Sequence, residues 1–242
     1  MHRNVQRMEL DANLSMCDDL KALARRIECC RACPRLVAWR ELVATERRAA
    51  FREQVYWGRP VAGFGDPCAP IVVVGLAPAA HGANRTGRIF TGDRSGDWLF
   101  ASMYRVGLAN QPTSVARDDG LVLSRVFVTA AVRCAPPANK PTPDERDRCL
   151  PYLQQELARV GPVRVIVVLG QFAYDVVARL LEIRPRPRFG HGVEAVAPGG
   201  VTVLCSFHPS QQNTFTGKLT APMTDAVFVR AVALAGLPGA PR

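Results

Sequence analysis

Four cysteines in this sequence are spaced as if to share one metal centre. Cys30 and Cys33 form a CxxC pair within the run 29–34, and Cys134 and Cys149 are separated by fourteen residues. Soft thiolate sulfur selects zinc or an iron–sulfur cluster. A zinc ribbon offers two short CxxC knuckles, whereas the second pair here is widely spread. That spacing favours a larger, loosely wrapped object such as a [4Fe–4S] cluster, with zinc kept open and Cys29 an alternative ligand. Cys205, inside the apolar run 201–207, reads instead as a small buried hydrophobe.

A second concentration of chemistry is the glycine-rich stretch from Gly75 to Asp93, GLAPAAHGANRTGRIFTGD. It has no Gly-Lys-Ser/Thr, so it is not a P-loop, and it is not GxGxxG. His81 lacks the HxE partner of the zinc deaminases. The stretch offers a backbone-rich turn, a lone carboxylate at Asp93, an aromatic at Phe90, and Arg85 and Arg88. Taken by itself, Asp93 reads as a turn residue capping a helix from Ser95. Late in the chain, His208 precedes Pro209 and reads alone as a capping residue.

These residues need elements to hold them. Residues 71–75 and 163–169 are short β-branched runs of the kind buried on both faces of a parallel sheet. Residues 125–130 and 201–206 complete the expected strands. Helices are expected at 17–28 with Ser15 as N-cap, 36–51, 95–106, 143–160 with a break at Pro151, 171–183 and 220–235. Strands alternating with helices imply βαβ units. The expected fold is α/β, a three-layer α/β/α arrangement around a mostly parallel sheet. One domain over 1–242 is expected, with 1–15 as a flexible extension. Ligands bind outside the carboxyl ends of such strands, which is where Gly75–Asp97, Ala131–Thr142, Gly170-Gln171 and Phe207–Gly217 fall.

Charge and composition narrow the partners. The 242 residues carry 31 Lys plus Arg against 21 Asp plus Glu, a formal net charge of +10, and Lys21, Lys140 and Lys218 are the lysines. Arginine's planar fork suits phosphate, so a polyanion is the first partner to consider. The apolar runs are far too short to span a bilayer, and no secretory pattern opens the chain. A cytoplasmic protein is expected.

The Gly75–Asp93 string, the segment from Arg133 to Thr142 and the run from His208 to Asn213 together resemble the type 5, or type b, uracil-DNA glycosylases. The resemblance runs from about Cys30 to the final helix. It implies a monofunctional, monomeric DNA glycosylase with a uracil-DNA glycosylase-like fold. Such an enzyme flips uracil and other damaged bases, hypoxanthine and ethenocytosine among them, out of double-stranded DNA and hydrolyses the N-glycosidic bond, initiating base excision repair. The four cysteines match [4Fe–4S] ligands of types 4 and 5. Leu76 and Ala77 fill places where other members carry polar or acidic residues, so by resemblance the carboxylate is Asp93. It would orient or deprotonate water, and His208 would stabilise the charge on the departing base. Gly75, Leu76 and Ala77 would line the base pocket, Phe90 would stack on the base, and Asn139 would contact its edge. Unaided, Phe90 reads as core and Asn139 as a turn residue. His81 and His191 receive no catalytic role, and His191 is expected to be exposed. The competing reading is a non-enzymatic, metal-stabilised nucleic-acid-binding protein, which leaves the Gly75–Asp93 loop and His208 unaccounted for.

Overall fold

The computed structural model describes residues 18–238. Ser15, Cys17 and the expected extension 1–15 lie outside them. Helix α1 occupies 18–28 and buries Leu23 and Ile27. Helix α2, Pro34–Glu46, begins directly after Cys33. It stops short of the expected 51 because Arg47 takes a left-handed φ of 54°, and a separate 3-10 turn, Ala49–Phe51, follows.

The sheet explains the rest. Strands β2 (Ile71–Gly75), β3 (Val126–Ala130), β4 (Val165–Leu169) and β6 (Thr202–Ser206) are the expected apolar runs. They lie parallel in the order β3-β2-β4-β6, with Val73 level with Val128 on one side and Val167 on the other. Short antiparallel strands close both edges: β1 (Phe64–Gly65) on β3 and β5 (Glu194–Val196) on β6. Two or three residues carry too little periodicity to be read as strands from sequence.

Period-two alternation divides the side chains between two cores. Ile71, Val73, Val128, Val167 and Leu204 face helices α4 (Arg94–Arg105) and α8 (Ala221–Leu234). Val72, Val74, Ile166, Val168 and Val203 face α6 (Gln171–Leu180) and Leu153 of α5 (Pro143–Arg159). This is the three-layer α/β/α arrangement. Helix α5 runs through Pro151 unbroken. Pro151 is exposed, so water can serve the carbonyl that its missing N–H leaves free. Short helices α3 (Ala83–Thr86) and α7 (Gln211–Phe215) lie inside loops, where the sequence pattern gives no sign of them. Among the described residues no helix is long and apolar enough to cross a membrane.

Chain direction places the functional loops. From β2 the chain crosses to β3 on one side, and then to β4 on the other. The loops leaving these strands therefore part above the sheet and open a crevice at their carboxyl ends.

Candidate active site and cysteine cavity

A cleft of about 550 Å³ occupies that crevice. Leu76, Ala77 and Ala79 follow β2, Phe90 and Asp93 lead into α4, Ser95 lies in its first turn, Asn139 follows β3, and His208 and Ser210 follow β6. Every expected site residue in these loops lines the cleft except Gly75, which lies under the ring of Phe90.

Asp93 fills both readings at once. It is the N-cap of α4, with Oδ1 accepting the Gly96 N–H at 3.0 Å, and the same carboxylate lines the cleft. Its other oxygen packs on Gly82, where any side chain would collide with Oδ2. Burial pushes its pKa up; the Gly96 and Ser95 N–H groups pull the other way, Asp97 adds to the rise and Arg85 opposes it. A carboxylate of raised pKa is a stronger base once ionised.

Phe90 is held in a costly conformation, with a left-handed φ of 52°. Such outliers gather where structure serves function. Its ring lies 2.6 Å from where a methyl on Gly75 would sit, so glycine there makes room for the aromatic at the end of β2. Phe90 is at once a core residue and a wall of the cleft. Its ring is 6.0 Å from that of His208, tilted by 37°.

His208 extends from β6 on a loop tied by its own carbonyl, which accepts from Ser210 N at 2.8 Å and Asn213 Nδ2 at 2.9 Å. Its ring makes no hydrogen bond among the described residues. Burial holds its pKa down at about 4, so the imidazole is neutral near pH 7. Asn139 is the turn residue its sequence suggests, with φ 56° and an exposed side chain at the cleft rim. Asparagine tolerates that region better than other non-glycine residues.

The other two histidines among the described residues turn away. His81 Nδ1 meets the Tyr56 hydroxyl at 3.1 Å. His191 is half-buried rather than exposed, because its Nδ1 accepts the Phe207 N–H at 3.2 Å. Sequence reasoning missed Gly82, Gln211 and Gln212 as parts of the site. The glycine spacing of the first loop was the available signal for Gly82.

The four cysteines converge from distant segments. Cys30, Cys33, Cys134 and Cys149 surround one cavity with Leu36, Arg148 and Tyr152, while exposed Cys29 stands outside it. Burial pushes Cys134 up to about 11 and Cys149 up to about 12. Arg40 Nη1 donates to Cys134 Sγ at 2.9 Å and Arg133 N to Cys149 Sγ at 3.2 Å. No group of three or more His, Cys, Asp or Glu among the described residues is arranged to hold a single metal ion. The donor chemistry, four thiols with N–H groups aimed at two sulfurs, suits a thiolate-bound cluster. Ala77 packs against this cysteine group and also lines the cleft, so the two sites share a wall.

The model of the Uracil DNA glycosylase superfamily matches residues 62–233, and the chain belongs to that superfamily. Over 226 residues it is 55% identical to the type-5 uracil-DNA glycosylase of Mycobacterium tuberculosis, spanning 92% of this chain and 83% of the relative. The type-5 enzyme of Thermus thermophilus is 49% identical over 220 residues, 90% of this chain and 100% of the relative. A type-4 uracil-DNA glycosylase of Archaeoglobus fulgidus is 34% identical over 155 residues, 62% of this chain and 70% of the relative. Within the superfamily its place is with the type-5 group that its motifs resemble.

Proposed function

We propose that this chain hydrolyses the N-glycosidic bond of uracil in double-stranded DNA, acting as a monomer and leaving an abasic site. The observation that carries the reading is the pairing, in one cleft, of the Asp93 carboxylate with a half-buried, neutral His208. A protein that only bound nucleic acid would need Asp93 as a helix cap, but would have no use for the same carboxylate lining a cleft beside a neutral imidazole.

The chemistry follows from these atoms. Water attacks the sugar carbon as its bond to the base breaks, and the bonding electron pair leaves with the base. Ionised Asp93 takes the proton from water and faces the cationic sugar. His208 donates an N–H to the base oxygen that gains charge. A neutral donor suits this, since the departing base needs a hydrogen bond and not a proton. Phe90 stacks on the base and Asn139 reads its edge. Extruding the base costs a few kcal/mol. Alkali-sensitive breaks at uracil in a duplex incubated with the protein are the expected result. No breaks at saturating protein would overturn the reading.

Breadth is part of the proposal. Leu76, Ala77 and Ala79 make one wall of the cleft apolar. Apolar walls reject wrong ligands poorly, whereas buried polar groups reject them strongly. Hypoxanthine and ethenocytosine are therefore expected to be excised as well. Single-turnover reactions on duplexes of one flanking sequence test this, and excision confined to uracil would refute it.

The four cysteines are proposed to hold a [4Fe–4S] cluster. When bound it would serve as a structural tie between the start of α2, the end of β3 and α5. The chain's own part is to supply four thiolates and to place the loop bearing Asn139 five residues beyond Cys134. Anaerobically purified protein is expected to be brown and to contain iron. Cys149→Ala is expected to lose iron and solubility first. Stoichiometric zinc with no iron would refute the assignment.

A further inference from the structure

Arg85 stands behind the cleft without lining it. It is almost wholly buried, and its guanidinium spends donors on two backbone carbonyls. Nε donates to His81 O at 2.8 Å and Nη2 to Gly92 O at 2.8 Å. Those carbonyls belong to the residues immediately before Gly82 and Asp93. Gly82 is the surface on which the Asp93 carboxylate rests, so one side chain ties together both sides of that contact. The guanidinium is itself fixed, by Nη1 to Gln54 Oε1 at 2.6 Å and by the Phe51 ring 4.0 Å away. Any side chain on Gly92 would collide with Nη2.

No carboxylate forms an ion pair with Arg85 among the described residues, although Asp93 lies close enough to act on its charge. Arg85 of α3 and Asp97 of α4 act on the charge of Asp93, and Arg94 of α4 and His208 beyond β6 line the same cleft.

We propose that Arg85 is a positioning residue for the reaction, bridging the two loop segments that hold the Asp93 carboxylate and facing that carboxylate with an unpaired positive charge. The proposal rests on the reading of Asp93 as the base. Lysine can supply the charge but not the bridge, because its single ammonium lacks the planar fork that reaches two carbonyls. The two functions are therefore separable.

Single-turnover uracil excision is measured against pH for wild type, Arg85→Gln and Arg85→Lys, with melting recorded for each. Arg85→Gln removes a cation that favours the ionised carboxylate. Its acid limb is expected to move up by about one pH unit, a tenfold change in proton affinity. Its plateau rate is expected to fall at least tenfold, since small misplacement of a reacting group costs up to about 10²-fold. Arg85→Lys is expected to keep the wild-type limb with a lowered plateau, and it carries the test if the glutamine variant does not fold. A wild-type limb and plateau in either variant overturns the proposal. So does a loss confined to melting temperature. Failure of the underlying reading is seen separately, as an Asp93→Asn variant that keeps full activity.

Discussion

Asp93→Asn is expected to lose about 10²–10⁴-fold in single-turnover uracil excision, the usual worth of a positioned acid–base group, while the fold survives. The choice of asparagine matters because Asp93 also caps α4 through Gly96 N. Asparagine caps about as well as aspartate, whereas alanine forfeits roughly 1 kcal/mol of helix stability. Alanine would therefore confuse chemistry with folding, and asparagine separates them. The pKa of Asp93 is raised by burial, so the native state binds its proton more tightly than the unfolded chain does. That stabilisation is present at low pH and is lost as pH rises through the native pKa. The asparagine variant never ionises. It should gain in melting temperature over wild type at pH 8, and the gain should close on acidification. An Asp93→Asn protein excising uracil at the wild-type rate would remove the carboxylate from the mechanism.

His208→Ala is expected to slow the chemical step by about 10²–10³-fold, as loss of one donor to developing negative charge typically does. The pH dependence is more telling than the rate. With its pKa held at about 4, His208 stays neutral across the range where an ordinary histidine near 6.5 would lose its proton. Excision by wild type should therefore show no fall as pH rises from 5.5 to 7.5 (about one unit either side of the ordinary histidine value). A mechanism that needed an imidazolium would lose most of its rate over that interval. The stability consequence has the opposite sign to that of Asp93. The native state refuses a proton that the unfolded state accepts between pH 6.5 and about 4, so this contribution is present above that window and lost as pH falls through it. Less steep acid destabilisation of His208→Ala, compared with wild type, is the expected signature in denaturant melts.

How far the sequence carried the fold depended on run length. Residues 71–75, 126–130, 165–169 and 202–206 are β-branched blocks that have few alternatives to a buried strand. Strands β1 and β5 escaped because their pairing partners, and not their own residues, make them strands. At the site, Asp93, Phe90 and Asn139 were each legible locally as a cap, a core residue and a turn, and each is that. Their convergence on one cleft comes from the order of strands, which no single segment encodes. Arg85 was visible as a basic residue of that stretch but its bridge was not, because the bridge is made to two carbonyls and a carbonyl leaves no mark on residue type. The CxxC was evident, but only the packing of α2 against the end of β3 and the start of α5 brings Cys134 and Cys149 to it.

The polarity of the sheet leaves one end of the molecule idle. The side chains of the cleft hang from the loops beyond the carboxyl ends of the strands and from the first turns of the helices those loops enter. The turn between β5 and β6 lies at the other end, where Gly199 is exposed and nothing stands within 4 Å of an added side chain. The five residues of β6 separate that turn from the loop of His208 by about 16 Å, at some 3.3 Å per residue. Exposed turns of this kind accept insertions and attachments. A surface tether or a fluorophore fixed at Gly199 would hold the molecule by its back and leave the DNA-facing side open for watching single excision events.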